Sequence, residues 1–297
     1  MKTIKIRLSC YLLFFSVVIN SQNRDIKIQV KKLTDQIYSL KGQGGNIGVF
    51  IGDDGVFMID DQFAPLTPKI LVAIKEITNK SVKYLVNTHW HQDHTGGNGN
   101  MQKQGAIIVS HDNVRKRMSV DQVIRGRTRK ASSKEALPVV TFTQDMMLHI
   151  NNDDILISHI HNAHTDGDAL VYFTNNNVLH VGDSYFQGKF PYIDLSSGGS
   201  INGYVEGLKK IILLCDNNTK IIPGHGEISN KKEVKVYLKM LTEIRTTIQK
   251  EIDKGQTLEQ VTKNNKITEK YKSFGVGISA GKIRNSIYKS LKTSTKK

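Results

Sequence analysis

With 297 residues, 38% of them hydrophobic and 23% charged, the chain can build a sizeable core and falls outside the disordered class. Its formal net charge of +15 would suit an anionic partner. The lysines, however, are dispersed without interleaved aromatics, which reads as a solvated surface and not as a nucleic-acid platform.

Taken from the start, Lys2, Lys5 and Arg7 precede an apolar run from Leu8 to Ile19 that is too short for a mature membrane span. Residues 1–21 are therefore predicted to be a secretory signal peptide cut near Asn20–Gln22, giving an exported, periplasmic or secreted product. No other segment reaches transmembrane length. Cys10 belongs to that leader, so Cys215 is left alone in the mature chain and cannot form an internal disulfide. Following Ile211–Leu214, it reads as a small buried hydrophobe.

From Ile37 to Asp60 the pattern is β, with Asn46–Ile51 and Val56–Ile59 joined by the turn cluster Asp53-Asp54-Gly55 into a hairpin. Thr67-Pro68 then opens an amphipathic helix over 68–79, marked by Ile70, Leu71, Ile74 and Ile77. Strands are predicted at Val82–Asn87 and Ala106–Ser110, later at Val139–Phe142, Met147–Ile150, Ile155–His159, Ala169–Phe173, Val178–Val181 and Lys220–Ile222. Residues 119–138, rich in Arg, Lys and Ser, read as an exposed insertion able to border a site.

After Gly226 the spacing of Val234, Leu238, Leu241, Ile244, Ile248 and Ile252 predicts a helix from near Asn230 to Gly255. Thr257 to Gln260 has capping-box spacing and opens another. Lys289–Lys297 reads as a frayed tail. The organisation is thus a leader (1–21), an α/β catalytic domain (22–228) and a C-terminal helical extension (229–297).

The chemistry concentrates at strand ends. In His89-x-His91-x-Asp93-His94, positions two apart on an extended chain project the same way, so His89 and His91 can chelate one ion while Asp93 and His94 serve a second. Imidazole and carboxylate without thiolate suit zinc, with iron or manganese as less selective fits. Further donors follow at loops beside glycine: His164 in NAHTDGDAL, Asp183 in LHVGDSYF and His225 in IIPGHGE. His111, His149, His159, His161 and His180 read as structural or surface residues, with His161, three before His164, the best placed of these to approach the site.

From about Ile37 to Glu227 these blocks, in this order, resemble the metallo-β-lactamase-fold hydrolases. The resemblance implies an αββα four-layer sandwich, two sheets face to face with helices outside. It implies that His89, His91 and His164 hold a first divalent metal ion, Asp93, His94 and His225 a second, and that Asp183 bridges both. Asp60 becomes a structural support for the metal loop, beside Asp61, to which no role attaches. A metal-activated water would then attack a carbonyl, with Asp93 orienting it or passing on its proton.

The expected function is an exported dinuclear zinc hydrolase of a small ester, lactone or amide, with β-lactam opening among its activities. Lys189, Tyr185 and Tyr192, with Asp194, follow the bridging position and are candidate substrate contacts, Lys189 as a cation for an acidic group. Asp183 stands where thiolate-using lactamases carry cysteine, and Phe186 where they carry a substrate-binding lysine, which weakens the lactam reading. Export disfavours a glutathione thioester. The alternatives are a non-catalytic zinc-bearing protein that binds envelope polyanions and a mononuclear iron dioxygenase of the same fold. The partner is a small molecule, with no specific nucleic acid.

Overall fold

A computed structural model describes residues 26–124 and 126–294; the expected leader lies outside them. The strands are β1 (Gln29–Lys32), β2 (Ile37–Lys41), β3 (Ile47–Gly52), β4 (Gly55–Ile59), β5 (Val82–Asn87), β6 (Ile107–His111), β7 (Gln122–Ile124), β8 (Arg127–Arg129), β9 (Val140–Phe142), β10 (Asp145–Ile150), β11 (Asp153–His159), β12 (Ala169–Phe173), β13 (Val178–His180) and β14 (Lys220–Ile222). The helices are α1 (Thr67–Lys75), α2 (Gln92–Thr95), α3 (Asn98–Lys103), α4 (Asp112–Met118), α5 (Ile201–Leu214), α6 (Lys231–Asp253), α7 (Leu258–Lys263) and α8 (Ala280–Ser294).

Two sheets result, in the orders β1-β2-β3-β4-β5-β6-β9 and β10-β11-β12-β13-β14, with β7 and β8 a separate hairpin. Strand alternation sorts the side chains into three cores. Phe50, Phe57, Ile59, Val86 and Val109 of the first sheet meet Ile157, Val171, Phe173 and Ile222 of the second. The opposite face of the first sheet, with Val49, Met58, Leu85 and Ile108, is covered by Ile70, Ala73 and Ile74 of α1. The outer face of the second, with Leu170, Leu179 and Ile221, is covered by α5, α6 and α8. Helix, sheet, sheet, helix is the four-layer sandwich expected, and α6 to α8 extend its outer layer.

Several elements differ from expectation. The first helix spans Thr67–Lys75, not 68–79, with Leu66 at its N-cap. The carboxy-terminal lysines are not a frayed tail as far as the structure describes them: α8 runs to Ser294 because Ile283, Ile287 and Leu291 pack into the outer core. Cys215 is buried, and burial pushes its thiol up to about 11, as suits a packed, unreactive side chain. Among the described residues no helix is long and apolar enough to cross a membrane.

Topology places one edge of the molecule for chemistry. β4, β5 and β6 run parallel, as do β13 and β14, so the loops after β4, β5, β13 and β14 leave from strand C-terminal ends. β12 is antiparallel to β13, so the loop entering β12 lies beside the loop leaving β13. Backbone bonds join the sheets along this edge: Ala169 N donates to Thr88 O at 2.8 Å and Asn46 N to Gly224 O at 2.7 Å.

Candidate metal centre

The loop after β5 carries His89, His91, Asp93 and His94, the last two in the single turn of α2. The second sheet brings His164 from before β12, Asp183 from after β13 and His225 from after β14. All seven converge in two groups: His89, His91, His164 and Asp183 in one, Asp93, His94 and His225 in the other. Asp183 faces both. Its Oδ2 lies 3.8 Å from His89 Nε2 and 3.4 Å from His164 Nε2, while its Oδ1 lies 3.3 Å from His94 Nε2 and 3.4 Å from His225 Nε2. Asp93 Oδ2 completes the second group, 3.3 Å from His225 Nε2.

The outer nitrogens settle which lone pairs point inward. His164 Nδ1 donates to Tyr192 O at 2.6 Å, His91 Nε2 to Asp194 Oδ2 at 2.9 Å and His94 Nδ1 to Asp60 Oδ2 at 2.7 Å. Thr88 Oγ1 donates to Asp60 Oδ2 at 2.8 Å, which leaves it as an acceptor for His89 Nδ1 at 3.1 Å. With these protons outside, His91 Nδ1 faces His89 Nε2 at 3.1 Å and His164 Nε2 at 2.9 Å, three lone pairs aimed at one another. Such a cluster is repulsive unless a cation sits among them, and outer-nitrogen partners of this kind are what fixes ligand histidines. His94 Nε2 and Asp183 Oδ1 are likewise buried without a hydrogen-bond partner. The donor set fits two divalent cations.

With only the protein's own charges present, the two groups differ. Burial holds His89 well below the usual imidazole range and His164 at about 4, despite the attraction of Asp183. Burial would also lower His225 and His94, but Asp183 and Asp93 outweigh it, raising His94 and taking His225 up to about 9. Burial would raise Asp93, yet the neighbouring imidazoles of His94 and His225 hold it at about 2.

The supporting shell is close-packed. Asp60, at φ 59°, accepts from Thr88 N as well as from His94, a left-handed conformation that aspartate tolerates. Asp61 takes a role the sequence had not assigned: its Oδ1 accepts from Gly97 N at 2.9 Å and pins the turn after α2. Asp168 accepts from His164 N, Thr165 N and Thr165 Oγ1, although burial still pushes its carboxyl up to about 8. Gly224 is required by close approach, since a Cβ there would stand 2.0 Å from Asp183 Oδ1.

A cavity of about 350 Å³ lies over the donors, lined by His91, Asp93, Asp183 and His225 and walled by Ile124, Phe186, Tyr192 and Ile278. Tyr192 is thus at the site, as expected. Two expected substrate contacts are not. Tyr185 is buried, its ring edge-on to Tyr237 and its hydroxyl 3.1 Å from Ser229 Oγ, so packing consumes it. Lys189 does not line the cavity; it follows Gly188, which sits at φ 70°. Asp194 orients His91 instead of facing substrate. His161 is exposed, its ring 6.0 Å from His159, which in turn stacks on His111 at 3.9 Å.

The insertion at 119–138 does border the site. Ile124 of β7 reaches the cavity, and Arg129 of β8 donates to Trp90 O at 3.0 Å while its guanidinium lies 5.4 Å from the Trp90 ring. Ile124 and Ile278 were invisible to sequence reading, since single apolar residues carry no motif. Phe186 stacks on His225 at 5.2 Å.

Comparison with known proteins agrees with this geometry. The chain is 26% identical over 225 residues to a hydroxyacylglutathione hydrolase of Pelagibacter ubique, covering 68% of this chain and 83% of that one. It is 21% identical over 243 residues to a metallo-beta-lactamase type 2 of Bacteroides fragilis, covering 76% and 90%. Among solved structures, a metallo-beta-lactamase from Pontibacter korlensis superposes with a TM-score of 0.62 at 19% identity, covering 73% of this chain and 99% of that one, a likeness of fold. The sequence profile of the Metallo-beta-lactamase superfamily matches residues 40–225, and the chain belongs to that superfamily.

Proposed function

We propose that the protein is an exported hydrolase that uses two zinc ions to open a small ester, lactone or amide. The observation that carries this is Asp183, which presents one oxygen to each of two complete donor groups. Two cations held there would acidify a water and polarise a carbonyl between them. His89, His91 and His164 would hold the first, Asp93, His94 and His225 the second. Asp93 is the more exposed of the two cavity carboxylates, 28% against 5% for Asp183. Ionised at neutral pH, it takes the proton of the attacking water and delivers it to the leaving group. Phe186, Tyr192, Ile124 and Ile278 exclude bulk solvent from this exchange. The leader-like residues 1–21 support export.

A thioester is the second reading. The relative from Pelagibacter ubique is named for that reaction, and Asp183 departs from thiolate-using lactamases in the same position. A panel of β-lactams, lactones, thioesters and phosphodiesters, run with the protein and its Asp93→Ala variant, tests both. At least one carbonyl substrate should be hydrolysed, with activity lost on chelation, restored by zinc and lowered about 10³-fold in the variant. Hydrolysis that survives chelation or the substitution would overturn the assignment.

A further inference from the structure

A carboxylate that faces two donor groups at once must be aimed by its own backbone, and the backbone of Asp183 lies in a single short turn, Gly182–Ser184. Two bonds from other segments fix that turn. Gly182 is left-handed, at φ 49°, and its carbonyl accepts from Gly224 N, in the loop that carries His225, at 2.6 Å. The carbonyl of Asp183 itself accepts from Tyr204 Oη at 2.7 Å. Tyr204 is fully buried on α5, 21 residues further along the chain, so this bond runs through the interior from the outer helical layer to the residue that faces both groups.

A buried tyrosine hydroxyl needs some acceptor, and satisfying it would by itself explain the bond. A second observation shows that α5 is built to come this close. Its first two turns contain Gly203 and Gly207, which cost helix stability. A Cβ on Gly203 would stand 2.0 Å from Asn162 O, and one on Gly207 2.8 Å from Ile160 Cγ2, so both glycines let the helix lie directly on the segment that leads to His164. The cap of α5 docks on the same segment: Ser200 Oγ donates to Asn162 O and Ser200 N to Ala163 O, each at 2.9 Å. The start of one helix therefore grips the backbone beside two donors from different loops, His164 through Ser200 and Asp183 through Tyr204.

We propose that Tyr204 is the positioning residue of the bridging carboxylate, a role that rests on the two-ion reading of Asp183: its hydroxyl fixes the Asp183 peptide so that one carboxylate oxygen faces each donor group. Without the hydroxyl, a buried carbonyl loses its donor and is driven to turn toward another. As the peptide turns, the side chain turns with it, and Oδ1 and Oδ2 no longer serve both groups. The loss falls mainly on the second group, where Asp93 and His225 are part-exposed. The first keeps three imidazoles whose outer nitrogens are already held by oxygens.

Tyr204→Phe keeps the ring and removes the oxygen. Tyr185→Phe is the control, since it deletes another buried hydroxyl of the same core, the one on Ser229 Oγ, which touches no donor. The zinc-free full-length protein and both variants are titrated with zinc against a chelating dye, and their cobalt-loaded forms are compared by visible absorption, which reports ligand geometry. We expect Tyr204→Phe to weaken the second zinc about 10–100-fold and to change the cobalt spectrum, while Tyr185→Phe binds both ions as the parent does. A hydroxyl that serves packing alone would lower the melting temperature of the zinc-free protein and leave both readouts unchanged, which overturns the inference, as does equal weakening in the two variants. Should zinc-free Tyr204→Phe fail to fold, zinc is added to it and folding followed by circular dichroism: recovery with one tightly held ion per chain supports the assignment, whereas recovery with two ions at parental affinity, or no recovery, overturns it. Fewer than two zinc ions on the parent protein overturns the two-ion reading itself, and Tyr204 as its positioning residue falls with it.

Discussion

Around His91 every imidazole is buried and has its outer nitrogen held by an oxygen, whereas Asp93 and His225 remain 28% and 24% exposed. The first group is prepared by desolvation: burial keeps His89 and His164 neutral, and a cation has only to enter among the lone pairs. The second is prepared by charge: its carboxylates attract protons as readily as they attract a metal. One site is therefore organised to retain its ion, and the other, open to the cavity, is organised to exchange ligands around it.

The largest break in this comparison comes from the carboxylate common to both halves. Asp183→Ala should lower activity by at least about 10³-fold and bring the zinc content below two ions per chain, measured by elemental analysis. Full occupancy in that variant would mean that the halves are independent. A smaller effect isolates the first half. Asp194→Ala removes the acceptor for His91 Nε2 and should weaken the tighter zinc site 10–100-fold in competition with a chelating dye, leaving the weaker site unchanged.

A change of pH sharpens the contrast. His225 is raised to about 9 and His94 is raised as well, so below that pH at least one proton must leave before zinc binds, and affinity at the second site should fall at least about tenfold per unit from pH 8 to 6. His164, at about 4, is neutral throughout that range, and the first site should stay nearly flat. Parallel slopes for the two sites would show that charge does not separate them.

Much of this was legible from residue order. The bounds of β5, β12 and β14 match the apolar runs, and the donors announced themselves as polar groups at strand ends. What escaped had no local signal. β1 is exposed along its whole length and shows no alternation. α5 was hidden by Gly203 and Gly207, poor helix formers that are needed because a Cβ at either would collide with Asn162 O or Ile160. Tyr185 and Lys189 were placed near the donors by sequence distance alone; in the fold the first is packed and the second lies off the cavity. The cavity walls come from a hairpin and a C-terminal loop far apart in the chain, a juxtaposition that only the folded molecule reveals.

The backbone bonds from Ala169 to Thr88 and from Asn46 to Gly224 stitch one sheet to the other at the edge where the donors meet. The first sheet contributes His89 to His94, the second His164, Asp183 and His225, so whatever binds there rivets the two layers across their seam. Mechanical cohesion and chemistry thus share a location: removing ions held there would loosen the sandwich at its working end, while the three apolar layers would keep the rest of it standing.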